Sequence, residues 1–387
     1  MEHILPIMDY IIWCILAIST GYLLVFSIAA LPKRTFHYPA SRKQHRIVVL
    51  FPAYQEDAVI ITAVHSFLQQ DYPRNLYDVV VISDHMKEET NNELALLPVL
   101  LLKATYENSS KAKALNLAMD KLQNDYQIAV ILDADNRVDP LFLQHINNAY
   151  AAGSKALQAH RKAKNLNTDV AVLDAVSEEI NNSIFRKGHV NLGLSSALIG
   201  SGMAFDYDWF KENIKKIFTA GEDKELEILL LKQRYFIDYL EEVYVYDEKT
   251  QGNKGFYNQR RRWLAAQYGQ WHRIIRDLPG ALFSFNIDYC DKLFQWMMPP
   301  RLLLLGSIGF FACLSLFIHW EHSLKWWGLF IITGITLCLA IPDYLVDDRF
   351  KKAIRKIPLL FIMMFLNLFR MKGVNKKFIH TAHGEVK

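Results

Sequence analysis

Gln127-Ile128-Ala129-Val130-Ile131-Leu132-Asp133-Ala134-Asp135 is a short apolar run that ends directly on two acids. Bounded apolar runs of this length read as buried strands. The same pattern recurs on either side. Arg46–Pro52 (RIVVLFP) and Tyr77–Ser83 (YDVVVIS) are strands, and Val99–Ala104 and Ala156–His160 are further candidates. Between them Asp57–Gln69, Ser110–Leu122 and Val170–Phe185 carry helical spacing, with Ser110 placed to cap the second helix. Strand and helix in alternation predict an α/β fold with a mostly parallel sheet covered on both faces. Ligands of such sheets bind beyond the carboxyl ends of the strands. Asp84 and the pair Asp133 and Asp135 sit at those ends, so periodicity alone places a ligand site at these acids.

The remaining composition is segregated. Of 387 residues, 51% are hydrophobic, which excludes a disordered chain. A mean hydropathy of +0.05 fits a water-soluble domain joined to a small membrane part. The net charge of +4 is too mild for a nucleic-acid partner, and four cysteines make no disulfide scaffold. Tyr10–Leu31 is long enough to cross the bilayer, and Lys33, Arg34, Arg42, Lys43 and Arg46 follow it. That asymmetry puts the domain after it on the cytoplasmic side. Leu302–His319 and Trp326–Leu345 form a helical hairpin, with Trp320, Trp326 and Trp327 suited to the lipid–water interface. Ile357–Phe369 is short for a span and basic on both flanks, so it reads as an interfacial or re-entrant helix, with a full fourth crossing as the alternative. The expected divisions are 1–32 (first span), 46–250 (catalytic domain), 251–298 (interfacial helices), 299–346 (hairpin) and 351–387 (apolar segment and basic tail).

Three motifs carry chemistry. Asp133-Ala134-Asp135 can hold a divalent cation or a ribose hydroxyl, and Mg²⁺ favours one or two carboxylates with substrate phosphates. Gly221-Glu222-Asp223 opens a helix running to about Lys232, where acids suit the dipole and one can serve as general base. Gln259-Arg260-Arg261-Arg262-Trp263 offers arginine forks for diphosphate oxygens and an indole face for a sugar ring. The segment Phe256–Ile275 around it is amphipathic and belongs at the membrane surface. His160-Arg161-Lys162 could touch phosphate or form a solvated basic loop, the second at least as well supported, and the thirteen histidines show no zinc spacing.

Taken in order, Asp84, Asp133-Ala134-Asp135, Glu222-Asp223 and Gln259–Trp263 resemble the membrane-bound branch of glycosyltransferase family 2. That branch includes cellulose, chitin and hyaluronan synthases and ceramide glucosyltransferase. Pro52-Ala53-Tyr54-Gln55-Glu56, Lys111-Ala112-Lys113-Ala114-Leu115-Asn116 and Gly200-Ser201-Gly202-Met203-Ala204 extend the likeness over about residues 46–275. Ser83-Asp84-His85-Met86 departs from it, lacking the second acid often found beside the first.

The resemblance implies a GT-A nucleotide-sugar domain and single displacement with inversion, from a nucleotide-sugar donor, with UDP the expected nucleotide. Pro52, Tyr54 and Glu56 would border base and ribose, and Asp84 would contact the nucleoside. Lys111 would support the donor, Asp133 orient it, and Asp135 ligate Mg²⁺ or Mn²⁺. Asp223, with Glu222 beside it, would be the base. Gln259 and Arg262 would hold the diphosphate. Trp263 would face the acceptor, with Gly202 in a tight turn beneath it. The expected acceptor is a membrane-associated glycan in cell-surface polysaccharide synthesis, or alternatively a lipid receiving one sugar. An integral protein of a bacterial inner membrane follows. A nucleotidyltransferase and a non-catalytic subunit are the rival classes, and the oligomeric state is open.

Overall fold

A computed structural model describes residues 4–32, 38–217, 221–318 and 320–368. Lys33, Arg34, His319 and the basic tail beyond 368 lie outside the described residues. The strands are β1 (Ile47–Tyr54), β2 (Tyr77–Asp84), β3 (Leu100–Ala104), β4 (Ile128–Ile131), β5 (Arg137–Val138), β6 (Ala156–Ala163), β7 (Met203–Asp206) and β8 (Ile237–Asp247). They form one eight-stranded sheet in the order β3-β2-β1-β4-β7-β6-β8-β5. The first four are mutually parallel. β7 runs antiparallel to both of its neighbours, β4 and β6. β8 is parallel to β6, and the short β5 closes the edge in the opposite sense.

The apolar runs become strands because both faces are covered. Val48 and Leu50 point into one core with Leu115, Met119 and Phe210. Ile47, Val49 and Phe51 point into the other with Val64, Phe67 and Ile146. Tyr54 pairs with Asp84 in register, and the Leu132 N–H donates to the Leu50 carbonyl at 3.1 Å. The strand ends therefore gather at one rim. Helix Lys111–Lys121 starts there, and Ser110 Oγ caps it by accepting the Lys113 N–H at 3.3 Å. Helix Glu222–Lys232 starts at the same rim.

Helix Asp169–Asn181 runs on into a π-helical turn, Asn182–Gly188, beyond the expected Val170–Phe185. Its acids grip the rest of the molecule one by one. Asp169 pairs with Lys356 at 2.9 Å and Asp174 with Arg260 at 2.7 Å. The Ser177 carbonyl accepts from Arg301 at 2.9 Å, and Glu179 accepts from the Tyr344 hydroxyl at 2.8 Å. One helix thus ties the sheet to helix Asn253–Ile274, to both ends of the apolar hairpin and to the segment after it.

Three helices, Pro6–Ala30, Arg301–Ile318 and Trp320–Leu339, are long and apolar enough to cross a membrane. The last begins six residues before the expected Trp326. Lys325 enters the helix because Asp9 of the first helix neutralises it and the Tyr10 ring lies 3.6 Å from its ammonium. Trp326, expected at the lipid–water interface, is instead fully buried, and its indole N–H donates to Asp9 at 2.9 Å. On the domain side Tyr22 donates to Asp291 at 2.9 Å, and Phe26 stacks on His189 at 3.7 Å. The final apolar helix, Ile357–Leu368, has 12 residues. At 1.5 Å per residue it is roughly 18 Å long, short of the roughly 30 Å hydrocarbon core. It packs on helix Asn253–Ile274, where Asn367 donates to the Tyr257 carbonyl at 3.3 Å.

Candidate active site

The acidic turn after β4 is held by its own side chains. The Asp133 N–H donates to Asn136 Oδ1 at 3.0 Å, and the Asn136 N–H returns to the Asp133 carbonyl at 3.0 Å. This local loop leaves the Asp133 carboxylate facing the start of helix Lys111–Lys121. Lys111 Nζ donates to it, and also to the Gly200 carbonyl at 2.7 Å. Glu222 Oε1 lies 3.7 Å from the same ammonium. Gly200 has φ +88°, and a Cβ added there would lie 3.8 Å from Glu222 Oε1 and 4.0 Å from Asp223 Oδ2. The fold therefore brings Lys111, Asp133, Glu222 and Asp223 together around the Gly200 backbone.

Burial opposes the charge of Lys111, but Asp133, Glu222 and Asp223 outweigh it and raise its pKa. Burial pushes the Glu222 carboxyl up to about 7; Asp223 and Asp133 add to the effect, and Lys111 counters it. The folded chain thus holds a proton on Glu222 that the unfolded chain releases near the ordinary carboxylate value of about 4.3. Stability contributed by that proton is lost as pH rises from there through about 7. Glu222→Gln is accordingly expected to melt like the parent near pH 4, below the window. Near pH 8 it should be more stable by about 1–3 kcal/mol, as read by thermal unfolding at both pH values.

Asp135 turns the other way, toward β8. Its Oδ2 accepts the Glu248 N–H at 2.7 Å, and its Oδ1 accepts from Asn136 Nδ2 at 3.2 Å. Lys164 donates to its carbonyl. No cluster of three or more His, Cys, Asp or Glu suited to a metal occurs among the described residues. The donor set is nonetheless all oxygen, and few carboxylates completed by substrate phosphates is how Mg²⁺ and, by the same hard-oxygen chemistry, Mn²⁺ are held. Asp133 and Asp135 face different ways, so an ion would take one of these carboxylates together with substrate phosphates.

At the neighbouring strand ends Asp84 is buried, and its Oδ1 lies 2.6 Å from His85 Nδ1. The Tyr54 ring stands edge-on to His85 at 5.6 Å. Gln55 and His85 both have φ +55°, a left-handed conformation uncommon outside glycine, at the matched ends of β1 and β2. Strain of this kind gathers at functional rims. The Glu56 N–H meets Met86 Sδ at 3.2 Å, whereas Pro52 sits inside β1 opposite Ile82, two residues short of the rim.

The Gln259–Trp263 motif lies on helix Asn253–Ile274. Thr250 Oγ1 donates to Gln259 at 3.4 Å. The Arg260 guanidinium, besides its pair with Asp174, lies 4.8 Å from the Phe256 ring and 4.6 Å from Trp263. It anchors the helix and is not available to a diphosphate. Trp263 is exposed. The side chain of Arg262 lies outside the described residues.

Gly202 is a buried packing position beneath the rim, and Gly200 is the glycine that faces the acids. The Gly202 N–H donates to the Ile131 carbonyl at 2.9 Å, its φ is +64°, and a Cβ on Gly202 would come within 2.8 Å of Val245 Cγ2. Gly202→Ala is expected to cost about 1–3 kcal/mol through left-handed strain and overpacking, read as a lowered melting temperature.

Arg161 corrects the reading of His160-Arg161-Lys162 as a solvated loop. It is 9% exposed and carries one fork of a buried network. It reaches Asp247 at 2.9 Å, Glu178 at 3.4 Å and Asp133 at 4.0 Å. Lys249 joins Asp247 at 2.8 Å and Glu178 at 3.4 Å, and Arg186 lies 3.5 Å from Glu178. Burial would raise the Glu178 carboxyl, but Lys249, Arg161 and Arg186 overcome it and hold it down at about 2. His160 is likewise engaged, 3.0 Å from Glu179. No sequence signal marked Glu178, Asp247 or Lys249.

Beta-monoglucosyldiacylglycerol synthases of Trichormus variabilis and of a Nostoc strain are each 23% identical to this chain over 259 residues, or 62% of it. The chain spans about half the length of these curated relatives, 54% in each case. Among solved structures, a mannosyltransferase from Pyrobaculum calidifontis in complex with GDP-Man and Mn²⁺ superposes with a TM-score of 0.53 at 16% identity. The match covers 84% of this chain and 96% of that one, a likeness of fold. Residues 45–266, more than half of the chain and all of the sheet, match the family described as glycosyltransferase like family 2, and the chain belongs to that family.

Proposed function

We propose that this glycosyltransferase is inverting and metal-dependent, and moves a single sugar from a nucleotide donor to a lipid acceptor in the membrane. The observation that carries the reading is the convergence of Lys111, Asp133, Glu222 and Asp223 on Gly200 at the strand ends. In this reading Asp84 and Tyr54 receive the nucleoside, Asp135 holds Mg²⁺ or Mn²⁺ with the diphosphate, Asp133 orients the donor, and Lys111 fixes Asp133. The ion, when bound, supplies charge neutralisation for the departing diphosphate. Asp223 takes the proton from the acceptor hydroxyl. The freed oxygen attacks the anomeric carbon from the face opposite the leaving group, so an α-linked donor gives a β-linked product. Glu222, partly protonated near neutral pH, keeps the charge beside Asp223 low. The Gln259–Trp263 motif is assigned the diphosphate and the acceptor end.

The lipid acceptor is supported by the names of the two curated relatives and by a small apolar region of three candidate spans. A growing polysaccharide is the second reading, favoured by the Gln259–Trp263 motif. The test supplies labelled nucleotide sugars, Mg²⁺ or Mn²⁺ and lipids to the membrane-embedded protein. One discrete labelled lipid supports the proposal, and a high-mass ladder overturns it in favour of polymer synthesis. Release of pyrophosphate in place of nucleoside diphosphate would overturn both. The basic flank of the first span supports a cytoplasmic domain. Protection of residues 46–250 from protease in inside-out vesicles would overturn that placement.

A further inference from the structure

We infer that Arg161 is a positioning residue for the donor site, holding the Asp133 carboxylate in place from the side opposite Lys111. The inference rests on the donor reading proposed above. Asp133 lies between two cations: Lys111 donates to its Oδ1, and Arg161 Nη1 lies 4.0 Å from its Oδ2. A carboxylate pulled from one side alone would turn toward that side, away from the strand end. The guanidinium is not free to move. Its Nη2 is pinned by Asp247 at 2.9 Å and by Glu178 at 3.4 Å, and its Nη1 donates to the Ile199 carbonyl, next to Gly200, at 3.3 Å.

The anchors are themselves fixed. Asp247 is the last residue of β8 and precedes Glu248, whose N–H holds Asp135 at 2.7 Å. Asn182, in the π-helical turn, donates to the Arg161 carbonyl at 3.0 Å and accepts from Arg186 at 2.7 Å. Such turns interrupt helices most often at functional sites. Arg161 therefore touches, directly or through one neighbour, both acids of the Asp133–Asp135 pair and the Gly200 floor. A planar fork with a fixed charge suits this work, because it spans three acceptors at set angles where an ammonium would serve one.

The test measures binding of UDP and of GDP, each with Mn²⁺, to the full-length detergent-solubilised protein by calorimetry. Arg161→Lys keeps the charge between Glu178 and Asp247 but removes the fork. It is expected to weaken binding at least about tenfold, as is Asp133→Asn. The Arg161→Lys/Asp133→Asn double variant is expected to be no weaker than the worse single one, because both act through one carboxylate. Losses that multiply in the double variant, or unchanged binding by Arg161→Lys, overturn the inference. If Arg161→Lys does not fold, Asp247→Asn, which loosens the fork while leaving Arg161 in place, is carried through the same cycle with Asp133→Asn and read by the same criteria. Failure of the unmutated protein to bind either nucleotide overturns the donor reading itself, and the inference with it.

Discussion

Asp223→Asn is expected to lower turnover by about 10²–10⁴ while leaving nucleotide binding within about twofold of the parent. Asp223 lies in the first turn of helix Glu222–Lys232, with Oδ1 accepting the Lys224 N–H at 2.8 Å and Oδ2 turned toward Gly200. Asn preserves that shape and the acceptor to Lys224, so the fold has no reason to respond. What disappears is a group able to accept the acceptor's proton. Steady-state turnover with saturating donor, beside calorimetric binding of the nucleotide, separates the two effects. Near-parental turnover would assign the base elsewhere, and Glu222 would then be the next acid to test.

The second large effect falls on the donor. Asp135→Ala is expected to raise the Mg²⁺ or Mn²⁺ concentration needed for half-maximal nucleotide binding by at least about tenfold. Nucleotide affinity should fall in parallel, because ion and diphosphate bind as one unit. The substitution also strips the Glu248 N–H of its acceptor, so some loss of melting temperature accompanies it. Asp135→Asn keeps an oxygen for that N–H and serves as the comparison. If the metal requirement of both variants matches the parent, Asp135 is a structural residue of the β8 end and the ion is held by other groups.

The strand ends were legible because each apolar run is cut off sharply by the acid that matters, as Ser83 gives way to Asp84 and Leu132 to Asp133. The helix start at Ser110 was legible from capping chemistry, and that at Gly221 from the acids that suit the helix dipole. β8 was not. Its register against β6 jumps from Ala159↔Leu240 to His160↔Tyr244, so the irregular stretch Glu241–Val243 breaks the alternation that would mark a strand. Arg161 was illegible for a different reason. A basic residue at a strand end looks the same in sequence whether water or the carboxylates of Glu178, Asp247 and Asp133 surround it, and those carboxylates arrive from distant segments. Lys325 misled in the same way, since Asp9, its partner, lies 316 residues away. Among the glycines, positive φ could not be assigned from sequence, so Gly200 and Gly202 could not be told apart.

The helix Asp169–Asn181 bears on whether the catalytic half of this chain is modular. A version ending near residue 250 would keep the whole sheet and every acid of the site. It would also remove Arg260 from Asp174, Arg301 from Ser177, Tyr344 from Glu179 and Lys356 from Asp169. Asp174 is 6% exposed at its side chain and would lose its arginine, a break in a buried pair that costs about 3–5 kcal/mol, whereas Glu179 would lose the Tyr344 hydroxyl and keep His160. Such a shortened enzyme is expected to lose its cooperative melt even in detergent, where lipid contact is not the issue. The membrane portion is in this sense part of the catalytic fold rather than its tether.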